Sequence, residues 1–228
     1  MKDKIDFIEK IRKTFLFSDL KEEEFIMLTK NSTEVYYNSG ELIYKQGSHC
    51  THGQYLLDGF AKVFIEGKSQ HSIVKIIKPD WFIGLLSVFS YDSNQFSASA
   101  IEYCMVRSIR KEAIQELVIS NSLFAHKYIK EVSLLATDLA KYLVLKYQKN
   151  VRGRLADILL HLSENIYKSN SFNLDFTRKE LGDLANTSTE SIIRMLSDFR
   201  KSGIISFENH RIIINNEVEL RKESEMGW

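Results

Sequence analysis

A chain of 228 residues, 44% hydrophobic and 27% charged, has the material for one large or two modest cores and the balance of an ordinary globular protein. It has no apolar run able to cross a bilayer, and MKDKIDFIEK lacks the apolar centre of a signal peptide, so a cytoplasmic protein without membrane contact is expected. Two cysteines, Cys50 and Cys104, exclude a disulfide framework, and a formal net charge of +1 does not by itself announce nucleic acid.

Residues 5–31 carry helical periodicity, with Ile5, Ile8, Ile11, Phe15 and Leu16 followed by LKEEEFIMLTK, which Ser18 or Asp19 can cap. From Thr33 to Ile109 the pattern changes to short β-prone runs closed by turn residues. EVYY ends at Asn38-Ser39-Gly40, ELIYKQ at Gly47, YLL at Asp58-Gly59, FAKVFIE at Gly67 and HSIVKII at Pro79-Asp80. This even spacing predicts a double-sheet jelly roll. His49-Cys50-Thr51-His52 puts three soft ligands in one loop, but no second cluster supplies the remaining ligands at a metal-binding spacing, so no metal site is expected. Cys104, within the apolar YCMV, reads as a core residue.

From Lys111 to Lys149 the chain reads as helix, without an internal glycine or proline. Leu134, Leu135, Leu139, Tyr142, Leu143 and Leu145 form a stripe broader than one core requires. Such a stripe predicts a helix packed on its symmetry mate, centred on Leu135, Leu139 and Leu143. Asn150–Gly153 marks a hinge, VRGRLADILLHLSENI is amphipathic, and Lys168–Ser171 is read as a loop.

The stretch TRKELGDLANTSTESIIRMLSDFRK predicts two short helices and a tight turn. Thr177 and Glu180 form a capping box, Asn186 suits a left-handed turn, and Ser188 caps the second helix. Ile192, Met195, Leu196 and Phe199 make the inward face of that helix; Thr189, Glu190, Ile193 and Arg194 face outward. Arg194 can contact guanine with both arms, Glu190 can accept from a cytosine amino group, and Ile193 can meet a thymine methyl. Glu190 and Arg194 stand four residues apart and are expected to pair. Gly203 ends the helix, and Ile204–Phe207 and Arg211–Ile214 flank a Glu208-Asn209-His210 turn. Helix, turn, helix and hairpin describe a winged helix-turn-helix that places its second helix in a DNA major groove. The DNA-facing residues are therefore expected to be Thr177, Arg178, Ser188, Thr189, Glu190, Ser191, Ile193, Arg194 and His210. No nucleophile–base pair or paired carboxylates converge on a motif, so the chain does not read as an enzyme.

These motifs resemble those of the cyclic-AMP receptor protein/FNR (CRP/FNR) family of bacterial transcription regulators. The T-R-x-E-[IL] opening is present as Thr177, Arg178, Glu180 and Leu181. The S-R-E-T-x-x-R helix is present as Ser188, Thr189, Glu190, Ser191 and Arg194, with Thr189 in place of the first arginine. The G-R-[IL]-A-x-x-L-L-x-L segment is present as Gly153, Arg154, Leu155, Ala156, Leu159, Leu160 and Leu162, and the roll's characteristic turn as Asp80–Phe89. The resemblance implies an α+β chain with a cyclic-nucleotide-binding-like roll over 1–110, a dimerisation helix over 111–150 and a winged helix-turn-helix over 151–228. It also implies a homodimer on a pseudo-palindromic operator in double-stranded DNA, with RNA polymerase as a further partner.

In nucleotide-binding members a glutamate follows the glycine of that turn and holds the ribose, and an arginine-serine pair farther on meets the cyclic phosphate. Here Leu85 and Asp92–Ser97 stand at these places, and no lysine or arginine lies between Lys78 and Arg107. A buried phosphate needs a charged partner, so cyclic AMP is not expected to bind. An apolar or vestigial pocket is expected around Ile83, Gly84, Leu85, Leu86 and Ser97, with Leu139 and Ala140. The iron–sulfur sensors of the FNR type need four cysteines, so no such cluster is expected with two. A second reading is a small-molecule, haem or redox sensor, with His71 or His126 as axial ligand, whose winged helix serves protein contacts.

Overall fold

The computed structural model describes residues 10–68 and 71–225, without the side chains of 141, 142 and 144–148. Ile5 and Ile8 of the first expected helix lie outside the described residues. The chain divides into two compact units, 1–66 with 74–138, and 67–73 with 139–228.

In the first unit, α1 (Glu22–Lys30) opens with three glutamates at its N-terminus, where the helix dipole favours negative charge. Glu24 accepts from the Lys21 N–H at 2.7 Å, closing the first turn, and Phe25 and Leu28 are buried. Eight strands follow: β1 (Ser32–Tyr37), β2 (Leu42–Tyr44), β3 (His52–Asp58), β4 (Ala61–Ile65), β5 (Ser72–Ile77), β6 (Trp81–Ile83), β7 (Ser97–Ala100) and β8 (Cys104–Arg110). They form two four-stranded sheets in the orders β1-β8-β3-β6 and β2-β7-β4-β5, the double-sheet roll that the turn spacing predicts. Leu56, Ala61, Ala98, Ala100, Cys104 and Val106 belong to one buried cluster. The Asp58-Gly59 turn joins β3 to β4 with Gly59 at φ 81°, and a Cβ there would stand 2.3 Å from the Tyr103 carbonyl, so only glycine fits. A four-residue helix, α2 (Ser87–Ser90), follows β6.

The helical stretch after the roll is broken once. α3 (Lys111–Ser120) and α4 (Ser122–Gln148) are separated by Asn121, which is extended at φ −122° and accepts the Phe124 N–H at 3.0 Å through its own side chain. Asparagine can end a helix and cap the next one, an alternative to continuous helix that absence of glycine and proline does not exclude. Phe124, Tyr128 and Leu135 face inward, and the Tyr128 hydroxyl donates to the Leu85 carbonyl at 2.7 Å. Leu135 is therefore not part of an outward stripe with Leu139 and Leu143, because its side chain is buried within its own chain. The exposed seam of α4 is Ile129, Ser133, Ala136, Ala140 and Leu143, spaced 4, 3, 4, 3.

The second unit contains α5 (Val151–His161), a π-helical turn (Leu162–Tyr167), β9 (Ser171–Asn173), α6 (Arg178–Ala185), α7 (Thr189–Lys201), β10 (Ile205–Glu208), β11 (Arg211–Ile214) and α8 (Glu217–Glu225). The three strands pair in the order β10-β11-β9, so Ser171, expected in a loop, is the first residue of a strand. Asn150 accepts the Gly153 N–H at 2.9 Å and caps α5, which makes the expected hinge also a helix start.

Candidate nucleic-acid interface

The two helices of the predicted reading motif begin on hydrogen bonds that the sequence specifies locally. The Thr177 N–H donates to the Glu180 carboxylate at 2.7 Å, and the Glu180 N–H to the Thr177 hydroxyl at 3.2 Å, which completes the capping box of α6. Asn186 closes α6 in the left-handed region at φ 50°, and the Ser188 hydroxyl then accepts the Ser191 N–H at 3.2 Å to start α7. The turn lies against α6 at Gly182. The Thr187 N–H reaches the Gly182 carbonyl at 2.9 Å, while a Cβ on Gly182 would stand 2.8 Å from the Thr187 carbonyl oxygen.

One side of α7 buries Ile192, Met195, Leu196 and Phe199. At its end Gly203 takes φ 74°; its N–H reaches Arg200 at 3.1 Å and the Ile204 N–H reaches Phe199 at 2.9 Å, a Schellman closure. The outer side leaves Glu190, Ile193 and Arg194 exposed, with Thr189 and Ser191 half-buried at the first turn. Glu190, Ile193, Arg194, Ser197, Asp198 and Lys201 line a shallow groove of about 390 Å³ along this side. Ser197, Asp198 and Lys201 were missed because only the first two turns of α7 match the motif.

The expected Glu190–Arg194 ion pair does not form among the described residues. Glu190 lies in the first turn of α7, where a backbone N–H at its own position and the Ser188 hydroxyl hold its carboxyl below the usual carboxylate range. The unpaired N–H groups and dipole of the helix start outcompete a flexible arginine four residues away. Arg194 makes no hydrogen bond or ion pair among the described residues, so its guanidinium is free for a ligand.

Arg178, the second basic residue expected at DNA, lies with its guanidinium 5.2 Å from the ring centre of Phe207 in β10, and burial lowers its pKa. This contact ties the start of α6 to the wing. The wing turns through Asn209 at φ 54°, with His210 exposed at its tip, and the Glu208↔Arg211 register places the turn where the sequence predicts it. Thr177 and Ser188 are exposed at the two helix starts.

Five of the residues expected to line an effector pocket lie in the roll. Ile83 and Leu85 are buried, Gly84 and Leu86 are half-buried, and the Tyr44 hydroxyl lies 2.4 Å from where a Cβ on Gly84 would stand. Ser97 is fully buried; its hydroxyl donates to the Glu66 carboxylate at 2.5 Å and accepts the Gln46 N–H at 2.8 Å, while the Glu66 N–H donates to the Gln46 side chain at 2.8 Å. This ring of mutually satisfied groups holds a carboxylate against Ser97. Leu139 is half-buried and Ala140 exposed on α4. Cys50 is buried while His49 and His52 are exposed, and among the described residues no group of three or more His, Cys, Asp or Glu could hold a metal ion. His126 is exposed and His71 half-buried. Burial pushes both thiols up, that of Cys104 to about 11. No helix of the described residues is long and apolar enough to cross a membrane.

Comparison with known proteins bears on both units. Residues 34–121 match the cyclic nucleotide-binding domain and residues 153–223 the Crp-like helix-turn-helix domain. The chain belongs to the CRP/FNR family of transcription regulators. It is similar to the transcriptional activator protein Anr of Pseudomonas protegens, at 24% identity over 79% of this chain and 76% of that protein. It is also similar to the CRP-like cAMP-activated global transcriptional regulator of Mycobacterium tuberculosis, at 20% identity over 92% of this chain and 96% of that protein. The solved structure of FixK2 from Bradyrhizobium japonicum shares the fold, with a TM-score of 0.76 at 21% identity over 84% of this chain and 96% of that one. As a member of the CRP/FNR family, the chain is a DNA-binding transcription regulator whose Crp-like helix-turn-helix domain contains α6 and α7.

The close approach at Gly182 gives a direct expectation. Gly182→Val must push the Thr187 carbonyl away, lowering stability by roughly 1–3 kcal/mol and tilting α7. A urea titration should show an earlier midpoint, and an unchanged midpoint would mean that the turn does not bear on this residue.

Proposed function

We propose that this regulator acts in the cytoplasm as a homodimer that reads a pseudo-palindromic operator through α7, under an effector other than a cyclic nucleotide. The observation that carries the reading is Arg194. It is exposed, unpaired among the described residues, and flanked by an ionised Glu190 and by Ile193, which is 53% exposed. A solvated surface arginine costs nothing to leave unpaired, but one beside an outward carboxylate and an outward isoleucine matches the donor, acceptor and methyl pattern of base edges. The activator role in the name of the Anr relative supports RNA polymerase as a further partner.

The 4, 3, 4, 3 seam of α4 supports the dimer, since it is the spacing at which two helices pack around a two-fold axis. The Glu66–Ser97 hydrogen bond supports the exclusion of cyclic nucleotides. A phosphate brought to that carboxylate would meet like charge without a compensating cation, and each ~1.4 kcal/mol so lost weakens binding tenfold. The relatives do not decide the effector, as one is named as cAMP-activated and another, from Bacillus subtilis, as an anaerobic regulatory protein.

Selection from random duplexes should return a symmetric site with half-site centres about 34 Å apart. Arg194→Ala should relax one G·C position in each half-site at a cost of roughly 1–3 kcal/mol in binding, with thermal stability unchanged. Recovery of no symmetric site, or of the same site by Arg194→Ala, would refute the assignment.

Ala136→Glu should give a monomer by light scattering, because the two-fold places two carboxylates together at the seam. A variant that stays dimeric at micromolar concentration would move the interface off α4.

Titration calorimetry with cyclic AMP and cyclic GMP should show no heat of binding at ligand concentrations of tens of micromolar. Micromolar binding of either nucleotide would mean that a cation from elsewhere reaches Ser97.

A further inference from the structure

The polar C-terminal helix α8 carries no sequence motif, yet its last turn holds two consecutive residues on the rest of the DNA-binding unit. Glu223 accepts from both arms of Arg152, at 2.5 Å from Nε and 2.6 Å from Nη2. The same guanidinium lies 4.6 Å from the ring centre of Phe199, a fully buried residue on the inward side of α7. Arg152 is thus fixed in its plane by α8 while its face rests on the DNA-reading helix. Ser224, the next residue, accepts from Lys149 Nζ at 3.0 Å, and that buried ammonium also donates to both oxygens of Asp157 at 2.9 and 2.8 Å.

Lys149 is the residue between α4 and the cap of α5. Its carbonyl accepts from Arg154 Nη1 at 2.5 Å, and Arg154 Nε donates to the Ala185 carbonyl at 2.7 Å, at the end of α6. Two chains of contacts therefore leave the last turn of α8. One runs through Arg152 to the buried side of α7, and the other through Lys149 and Arg154 to the end of α6. A bidentate arginine–carboxylate pair fixes both distance and plane, which a single ionic contact does not.

We infer that Glu223 and Arg152 are positioning residues for DNA reading, with α8 setting through the Arg152 guanidinium the angle at which α7 presents Glu190, Ile193 and Arg194. This rests on the DNA-reading role of α7. It differs from a plain stabilising role in the sign of one effect. Glu223 is an acid, so its loss raises the affinity of the chain for any duplex by removing a negative charge. A positioning role instead lowers affinity for the selected operator alone, because misplaced base contacts are lost while phosphate contacts survive.

The experiment measures affinities of the full-length wild type, Glu223→Gln and Glu225→Gln for the wild-type-selected operator and for a scrambled duplex at fixed salt. Glu225 is exposed on the same helix, makes no hydrogen bond or ion pair among the described residues, and serves as the charge control. Glu225→Gln should leave the operator-to-scrambled ratio unchanged, whereas Glu223→Gln should lower it about tenfold. Arg152→Lys, which keeps the charge and loses the planar fork, should lower the ratio as well, and it serves where Glu223→Gln unfolds earlier in a thermal melt. Equal ratios in Glu223→Gln and Glu225→Gln, or an unchanged ratio in folded Arg152→Lys, overturn the positioning role. A wild type that selects no operator overturns the DNA reading itself and this inference with it.

Discussion

The approach of the Thr187 carbonyl to the Cα of Gly182, closer than any side chain would permit, is the constraint on which the DNA-binding unit depends. It brings the turn against α6, so that α7 starts at Ser188 with its first residues directed away from the core. Burial of Ile192, Met195, Leu196 and Phe199 then fixes the rotation of α7 about its axis. Each such side chain contributes roughly 1.5–3 kcal/mol when removed from water, far more than any rotation that exposed them could recover. The outward set is therefore the complement of the inward set. Glu190, Ile193 and Arg194 are presented on the first two turns of the helix, and Ser197, Asp198 and Lys201 continue that side.

The helix-turn-helix was legible because each of its boundaries is decided by chemistry within four residues. Thr177 with Glu180, Asn186, Ser188 and Gly203 all act where the sequence places them. The roll was legible for a similar reason, since its strands end at Gly40, Gly47 and Gly59, each at positive φ. What escaped detection depends on partners distant in sequence. The outward face of α4 could not be read from a helix with leucines on several sides, because spacing does not mark Leu135 as the buried one. Helix α8 is polar and carries a single fully buried leucine, Leu220, so its attachment through Glu223 and Ser224 has no periodic signature. The Glu190–Arg194 pair was expected from spacing alone, but spacing permits a pair without deciding it against a nearby helix start.

The roll and the DNA-binding unit stand in different relations to their family. The DNA-binding unit presents Glu190, Ile193 and Arg194 outward, with Thr189 where the resemblance implies an arginine. The roll keeps the architecture, with a carboxylate on Ser97 and an apolar Leu85 buried. The backbone scaffold of such a roll depends on sheet pairing and glycine turns, so its ligand chemistry can be replaced without disturbing its strands.

Both cysteines lie inside the roll, and burial keeps both thiols protonated. Peroxides and disulfides react with thiolates, so in the folded chain an oxidant finds almost nothing to attack. For these two thiols, opening of the roll would both uncover the sulfur and return its acidity to the ordinary range, so their reactivity would report on unfolding.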